Sequence, residues 1–139
     1  MNLLDNFQVV RHSEFAILPE FVFPLAMGYD IFSSETYIIP PGRRAFIDTG
    51  ISVTIPNGMY ATLAPRMSLK TIGVDTVPVM YDPFSIHRVR VLLINNTPHE
   101  LPIQAGDKIA VMVLLPMDQP TLVNITQELL DECDVGSDE

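Results

Sequence analysis

The stretch Pro78-Val79-Met80-Tyr81-Asp82-Pro83-Phe84-Ser85-Ile86-His87-Arg88-Val89-Arg90-Val91-Leu92-Leu93 sets one carboxylate, Asp82, between two strand-like arms. A carboxylate fixed at the tip of a hairpin can serve as a general base toward water, provided its surroundings aim it. Asp is also a favoured turn former, because its side chain bonds nearby backbone N–H groups. Spacing alone favours that plainer reading. Asp30 is the second acid of interest, since it interrupts the otherwise apolar run Met27-Gly28-Tyr29-Asp30-Ile31-Phe32. Either it serves a ligand, or neighbouring N–H groups satisfy it within the strand.

The elements that must hold these acids read as strands. Val89, Val91 and Leu93 alternate with Arg88, Arg90 and Leu92, the period of two of a half-buried strand. Tyr81-Asp82-Pro83 breaks that pattern, because proline fixes its own φ and pushes Asp82 toward extended backbone. Twelve prolines, seven glycines and short Val/Ile/Leu runs at regular intervals describe an all-β sandwich or barrel. The runs at 7–10, 37–39, 45–47, 51–55, 59–63, 101–103 and 109–115 are the expected strands, with 121–125 as one more. Asn57-Gly58 predicts a tight hairpin, and Met67 to Ile72 a short helical turn closed by Gly73. Phe21, Val22 and Phe23 form an apolar connection that needs a surface to cover. One domain is expected over 1–127, followed by an acidic, disordered tail over 128–139 with six acids and no base.

Composition narrows the function. A net charge of -9 argues against nonspecific nucleic-acid binding, which relies on clustered Lys and Arg. The longest apolar stretch, Ile109 to Met117, is too short to cross a membrane. Cys133, the one cysteine, has no intrachain partner, and the first residues lack a signal-peptide pattern. A soluble, intracellular protein is expected.

Five segments in order give the chain its resemblance. Met27-Gly28-Tyr29-Asp30-Ile31, Ile39-Pro40-Pro41-Gly42 with Asp48-Thr49-Gly50-Ile51, Ile55-Pro56-Asn57-Gly58-Met59-Tyr60, Ala64-Pro65-Arg66-Met67-Ser68-Leu69 and Ala105-Gly106-Asp107-Lys108-Ile109-Ala110 resemble the motifs and connections of the trimeric dUTPases. That resemblance implies a homotrimer of jelly-roll-like β-barrels that splits dUTP into dUMP and pyrophosphate. In its register Asp82 is the general base. Arg66 and Ser68 bind phosphate. Asp30 reaches a nucleotide-bound Mg2+ through water. Tyr81, Phe84, Ser85 and His87 line the nucleoside pocket, and Asp107 supports the fourth motif.

Departures from the motifs imply weak or lost catalysis and a protein-interaction or regulatory role, as in some viral relatives. Met67 stands where a serine donates to phosphate, and a thioether cannot donate. Ser85 replaces an aromatic that stacks under deoxyribose, His87 a glycine, and Val111 a glutamine. Phe84 and Ile86 replace an Asp and an Arg, and no fifth, arginine-bearing motif is recognisable near the end. Two other readings stand beside this one. The chain is an active Mg-dependent dUTP diphosphatase in which Lys70 or Arg88 reaches phosphate. Or it is a trimeric assembly module whose contact surface includes Phe21, Phe23, Phe84 and Ile86.

Overall fold

A computed structural model describes residues 5–21 and 27–133. Ten strands and two short helices follow one another as β1 (Gln8–Arg11), β2 (Tyr29–Phe32), β3 (Tyr37–Ile39), β4 (Arg44–Thr54), β5 (Met59–Pro65), α1 (Met67–Thr71), β6 (Val74–Thr76), β7 (Met80–Tyr81), β8 (Ile86–Asn95), β9 (Leu101–Ile103), β10 (Lys108–Pro116) and α2 (Gln127–Cys133). They form a four-stranded sheet β1-β4-β8-β6, a second β2-β10-β5-β7, and the small pair β3-β9. The expected all-β class is the observed one.

Among the described residues, no two strands consecutive in the chain pair with each other. Every connection crosses from one sheet to another, as in a jelly roll. Two expected hairpins are corrected by this. β7 pairs with β5, whereas β8 pairs with β4 and β6, so Asp82 sits on a crossing between layers. Pro83 supplies no N–H, and the two-residue β7 offers no ladder for β8 to zip against. The Asn57-Gly58 turn likewise links β4 in one sheet to β5 in the other. Its Gly58 has φ +78°, which explains the glycine there without requiring a paired hairpin.

The core lies between the sheets. Val89, Val91 and Leu93 of β8 lie beside Ile47, Ile51 and Val53 of β4 in one sheet and share the core with Leu63, Ile109 and Met112 of the other, all nearly inaccessible to water. The runs at 45–47 and 51–55 are one 11-residue strand and not two. The register steps from Asp48↔Arg90 to Ser52↔Arg88, so three residues of β4 stand against Val89 alone. Thr49 Oγ1 donates to Val89 O at 2.6 Å, and Gly50 N donates to Asp48 Oδ1 at 3.0 Å, which satisfies the displaced backbone.

Gly28 is needed for contact. A Cβ there would stand 2.4 Å from Met112 O, so β2 lies against β10 only because this position has no side chain. Beyond β10, residues 121–125 form no strand. Residues 127–133 are helical where a disordered tail was expected. Thr126 accounts for it: its hydroxyl accepts from Leu129 N at 3.2 Å and its carbonyl from Leu130 N at 3.1 Å. Gln127 adds a contact to Asp131 one turn on, at 2.9 Å. Val22, Phe23 and residues 134–139 lie outside the described residues.

Candidate functional site

The central position of β10 in its sheet gathers the first group of site residues. Val111 pairs with Asp30 on β2 and with Ala64 on β5, while Ala110 pairs with Pro65. Asp30 and Arg66, distant in sequence, are thereby brought to one side of the sheet end. Arg66 Nη1 donates to Asp30 Oδ1 at 2.9 Å, and Lys108 Nζ stands 3.5 Å from Asp30 Oδ2. The carboxylate is the inner member, its side chain 18% exposed against 28% for Arg66 and 40% for Lys108. Asp30 is therefore satisfied by two cations and not by strand N–H groups.

Arg66, Ser68, Asp107 and Lys108 line one open cleft of about 360 Å³, together with Leu69 and Ile103. Asp107 shapes its rim: Oδ2 accepts from Gln104 N at 2.9 Å, and its carbonyl accepts from Ser33 N at 2.8 Å. Met67 opens α1 with its side chain largely in solvent. Val111, opposite Asp30, presents an apolar group to the same row. Arg88 does not join this cleft, because its guanidinium is engaged at 2.8 Å by Asp48 on the other sheet. Lys108 was not singled out by motif reading; only the pairing of β10 with β2 reveals it.

The second group sits on the crossing between β7 and β8. Tyr81 is buried, which pushes its phenol up to about 12. The Asp82 side chain turns outward and caps its own turn, Oδ1 accepting from Phe84 N at 2.9 Å and from Ser85 Oγ at 3.3 Å. His87 Nε2 lies 2.9 Å from Asp82 O and 3.4 Å from Oδ1, and its ring rests on Tyr81 with centroids 5.1 Å apart. The backbone N–H of Phe84 holds the Asp82 carboxyl below its ordinary 3.8 against the opposing effect of desolvation; the charge of His87 and the Ser85 hydroxyl act the same way as Phe84. Phe84, Ser85 and Ile86 border a smaller, 170 Å³ cavity with Gln8, Thr54 and Ile55. Those three come from β1 and β4 or just after it, far from the turn in sequence. Phe84 and Ile86 are 80% and 72% exposed.

The two groups occupy separate cavities, and the contacts described for each stay within it. Within one chain, then, the acid of the turn and the cations of the cleft are not assembled into one site. Among the described residues no cluster of three His, Cys, Asp or Glu side chains can cage a metal ion. Both oxygens of Asp30 face cations, which leaves a contact through water as the way this carboxylate could meet a nucleotide-bound Mg2+. No helix among the described residues is long and apolar enough to cross a membrane.

Comparison with known proteins agrees with this architecture. A dUTPase family model matches residues 16–138. The chain is 33% identical over 136 residues to the deoxyuridine 5'-triphosphate nucleotidohydrolase of Variola virus, covering 98% of this chain and 91% of that protein. It is 36% identical over 128 residues to the enzyme of the same name from Debaryomyces hansenii, covering 91% and 80%. A mutant dUTPase from phage phi11 of S. aureus, described for its coordination of a structural Mg(II) ion, superposes with a TM-score of 0.79 at 25% identity, over 88% of this chain and 97% of that one. Strand order, the motif positions on β2, β5 and β10, and these relatives converge: the chain belongs to the dUTPase family.

Proposed function

We propose that this protein is a dUTPase-fold homotrimer in which hydrolysis of dUTP is weak or lost and whose retained work is binding a protein partner. The observation that carries it is the Asp82 turn. Phe84 N, Ser85 Oγ and His87 all crowd one carboxylate, and they hold it in its ionised form below the ordinary range. A general base needs a lone pair aimed at the attacking water, and the bonds from Phe84 N and Ser85 Oγ turn Asp82 Oδ1 to capping its own loop instead. Met67 and Val111 remove two hydrogen bonds that the family resemblance assigns, one to phosphate and one to a phosphate-binding partner. At about 1.5–3 kcal/mol for each bond to a charged group, those two losses amount to a factor of about 10²–10⁴. Exposed Phe84 and Ile86 beside the turn supply the apolar surface that a partner would cover.

The test is release of pyrophosphate from dUTP with magnesium, set beside Asp82→Ala. The reading requires a rate at least about 10³-fold below an ordinary turnover of about 10 s⁻¹. Turnover at the ordinary rate that disappears in Asp82→Ala would overturn it.

A second reading, an active dUTP diphosphatase, is favoured by the intact Asp30–Arg66 pair and by relatives named for that activity. Trimer formation would then bring the turn of one subunit to the cleft of another. A stable monomer in solution would remove the ground for both readings.

A further inference from the structure

The turn after β4 carries chemistry that neither cavity uses. Of the asparagines in the chain, Asn57 is the one followed by glycine. We propose that Asn57 is a site of spontaneous covalent modification, passing through a cyclic imide with Gly58 to isoaspartate and aspartate. In that step the Gly58 nitrogen attacks Cγ of Asn57, its proton passes to the leaving amide, and ammonia departs. Water then opens the imide ring at either carbonyl. The balance is water taken up and ammonia released, with no oxidant, reductant or cofactor.

The turn leaves both reacting groups free. Asn57 and Gly58 are exposed, and neither Gly58 N nor the Asn57 side chain has a hydrogen-bond partner among the described residues. A Cβ built on Gly58 would meet nothing within 4 Å, so the approach to its nitrogen is open. Gly58 has φ +78°, and Met59 N donates to Pro56 O at 3.2 Å across the turn. Turning Asn57 to bring that nitrogen to Cγ strains this closing bond, and an exposed loop tip yields at little cost. The other asparagines are held back. Asn95 is buried, its Nδ2 donating to the carbonyls of Ile39, Pro40 and His99. The rest are followed by the bulkier Leu3, Phe7, Thr97 or Ile125, and bulk slows attack by the nitrogen. The site also has a structural consequence. Gly58 O accepts from Met117 N at 2.8 Å, and Met59 pairs with Pro116, so the turn clasps the end of β10. Isoaspartate routes the main chain through the former side chain, which lengthens the turn by a methylene where residues 117–133 leave the barrel.

The test is incubation of the folded full chain at mildly alkaline pH, followed by peptide mapping with mass spectrometry and isoaspartate detection. Asn57 is expected to convert within about 10-fold of the rate of the free peptide spanning residues 55–60, since the tip opens readily. Isoaspartate should exceed aspartate among the products. Loss of the Met117 bond should lower the Tm of the aged chain by about 3 °C. Asn57→Ser should block both the conversion and the fall in Tm. Asn57→Asp carries the charge without the added methylene and should melt with the fresh wild type. Faster conversion at another asparagine, or a rate at Asn57 below that bound, would overturn the assignment of the site. An aged chain melting with the fresh one, or Asn57→Asp melting as low as the aged chain, would overturn the role of the lengthened turn.

Discussion

Asn95→Leu tests how the end of the barrel is held together. Asn95 is fully buried at the last position of β8. Its Nδ2 donates to Ile39 O at 2.9 Å and His99 O at 2.8 Å, and Oδ1 accepts from Thr97 N at 3.0 Å and Thr97 Oγ1 at 2.7 Å. One side chain therefore ties β8 to the end of β3 and to the loop that leads into β9. Leucine keeps the branched four-atom side-chain skeleton and removes every side-chain bond. Losing the contacts to Ile39 and His99, at about 1 kcal/mol per bond plus the cost of leaving a buried carbonyl unmatched, gives about 3–4 kcal/mol. Unfolding entropy of about 2.1 cal/mol/K per residue over the 139 residues converts this to a fall in Tm of about 10–14 °C. Circular dichroism melts at matched protein concentration read it, since any subunit association also stabilises. Asn95→Asp should fall at least as far at pH 7, because a second oxygen would face the Ile39 and His99 carbonyls. A Leu variant melting within about 3 °C of the wild type would refute the reasoning.

Gly28→Ala drives a Cβ against Met112 O and should cost about 1–3 kcal/mol, read as a lower urea midpoint; an unchanged midpoint would mean β2 yields freely. Carboxyl-detected NMR should find Asp82 titrating below 3.8, and His87→Ala should move it upward toward that value; no movement would separate the imidazole from the acid. Ultraviolet titration should show one tyrosine, Tyr81, ionising only near 12, and Tyr81→Phe should abolish that late phase. The sign for stability follows, since the folded value is raised above the unfolded 10.0: the buried phenol's contribution is intact below pH 10 and is lost as pH rises toward 12.

Much of the fold was legible because its signals are local. The alternation Val89, Val91, Leu93 appears as the buried face of β8, and Gly42 and Gly106 take the positive φ of their turns. Pairing was not legible, because the same Asn-Gly signal serves a paired hairpin and a crossing between sheets. The bulge in β4 disguised one strand as two, since Thr49-Gly50 carries the residues of a turn. Helix α2 was hidden by its acids, although Thr126 before Glu128 is an N-cap signal that composition outweighed. At the site, Asp30 and Arg66 were recognisable singly, whereas the third member, Lys108, depends on which strands flank β10. The type of each residue was local information; its neighbours were not.

The absence of any ladder between consecutive strands among the described residues sets how this chain must reach its structure. No local hairpin can nucleate either large sheet. β1 waits for β4, β4 for β8, and β2 for β10, whose last residue is Pro116. Loop closure over such separations is costly before any pairing rewards it, so folding on the order of milliseconds to seconds is the natural regime. On a ribosome, the sheet that carries Asp30 and Arg66 cannot close until almost the whole barrel has been made. Until then the emerging chain exposes unpaired strands of Ile, Val and Leu, and its safe passage rests on how quickly synthesis delivers β10.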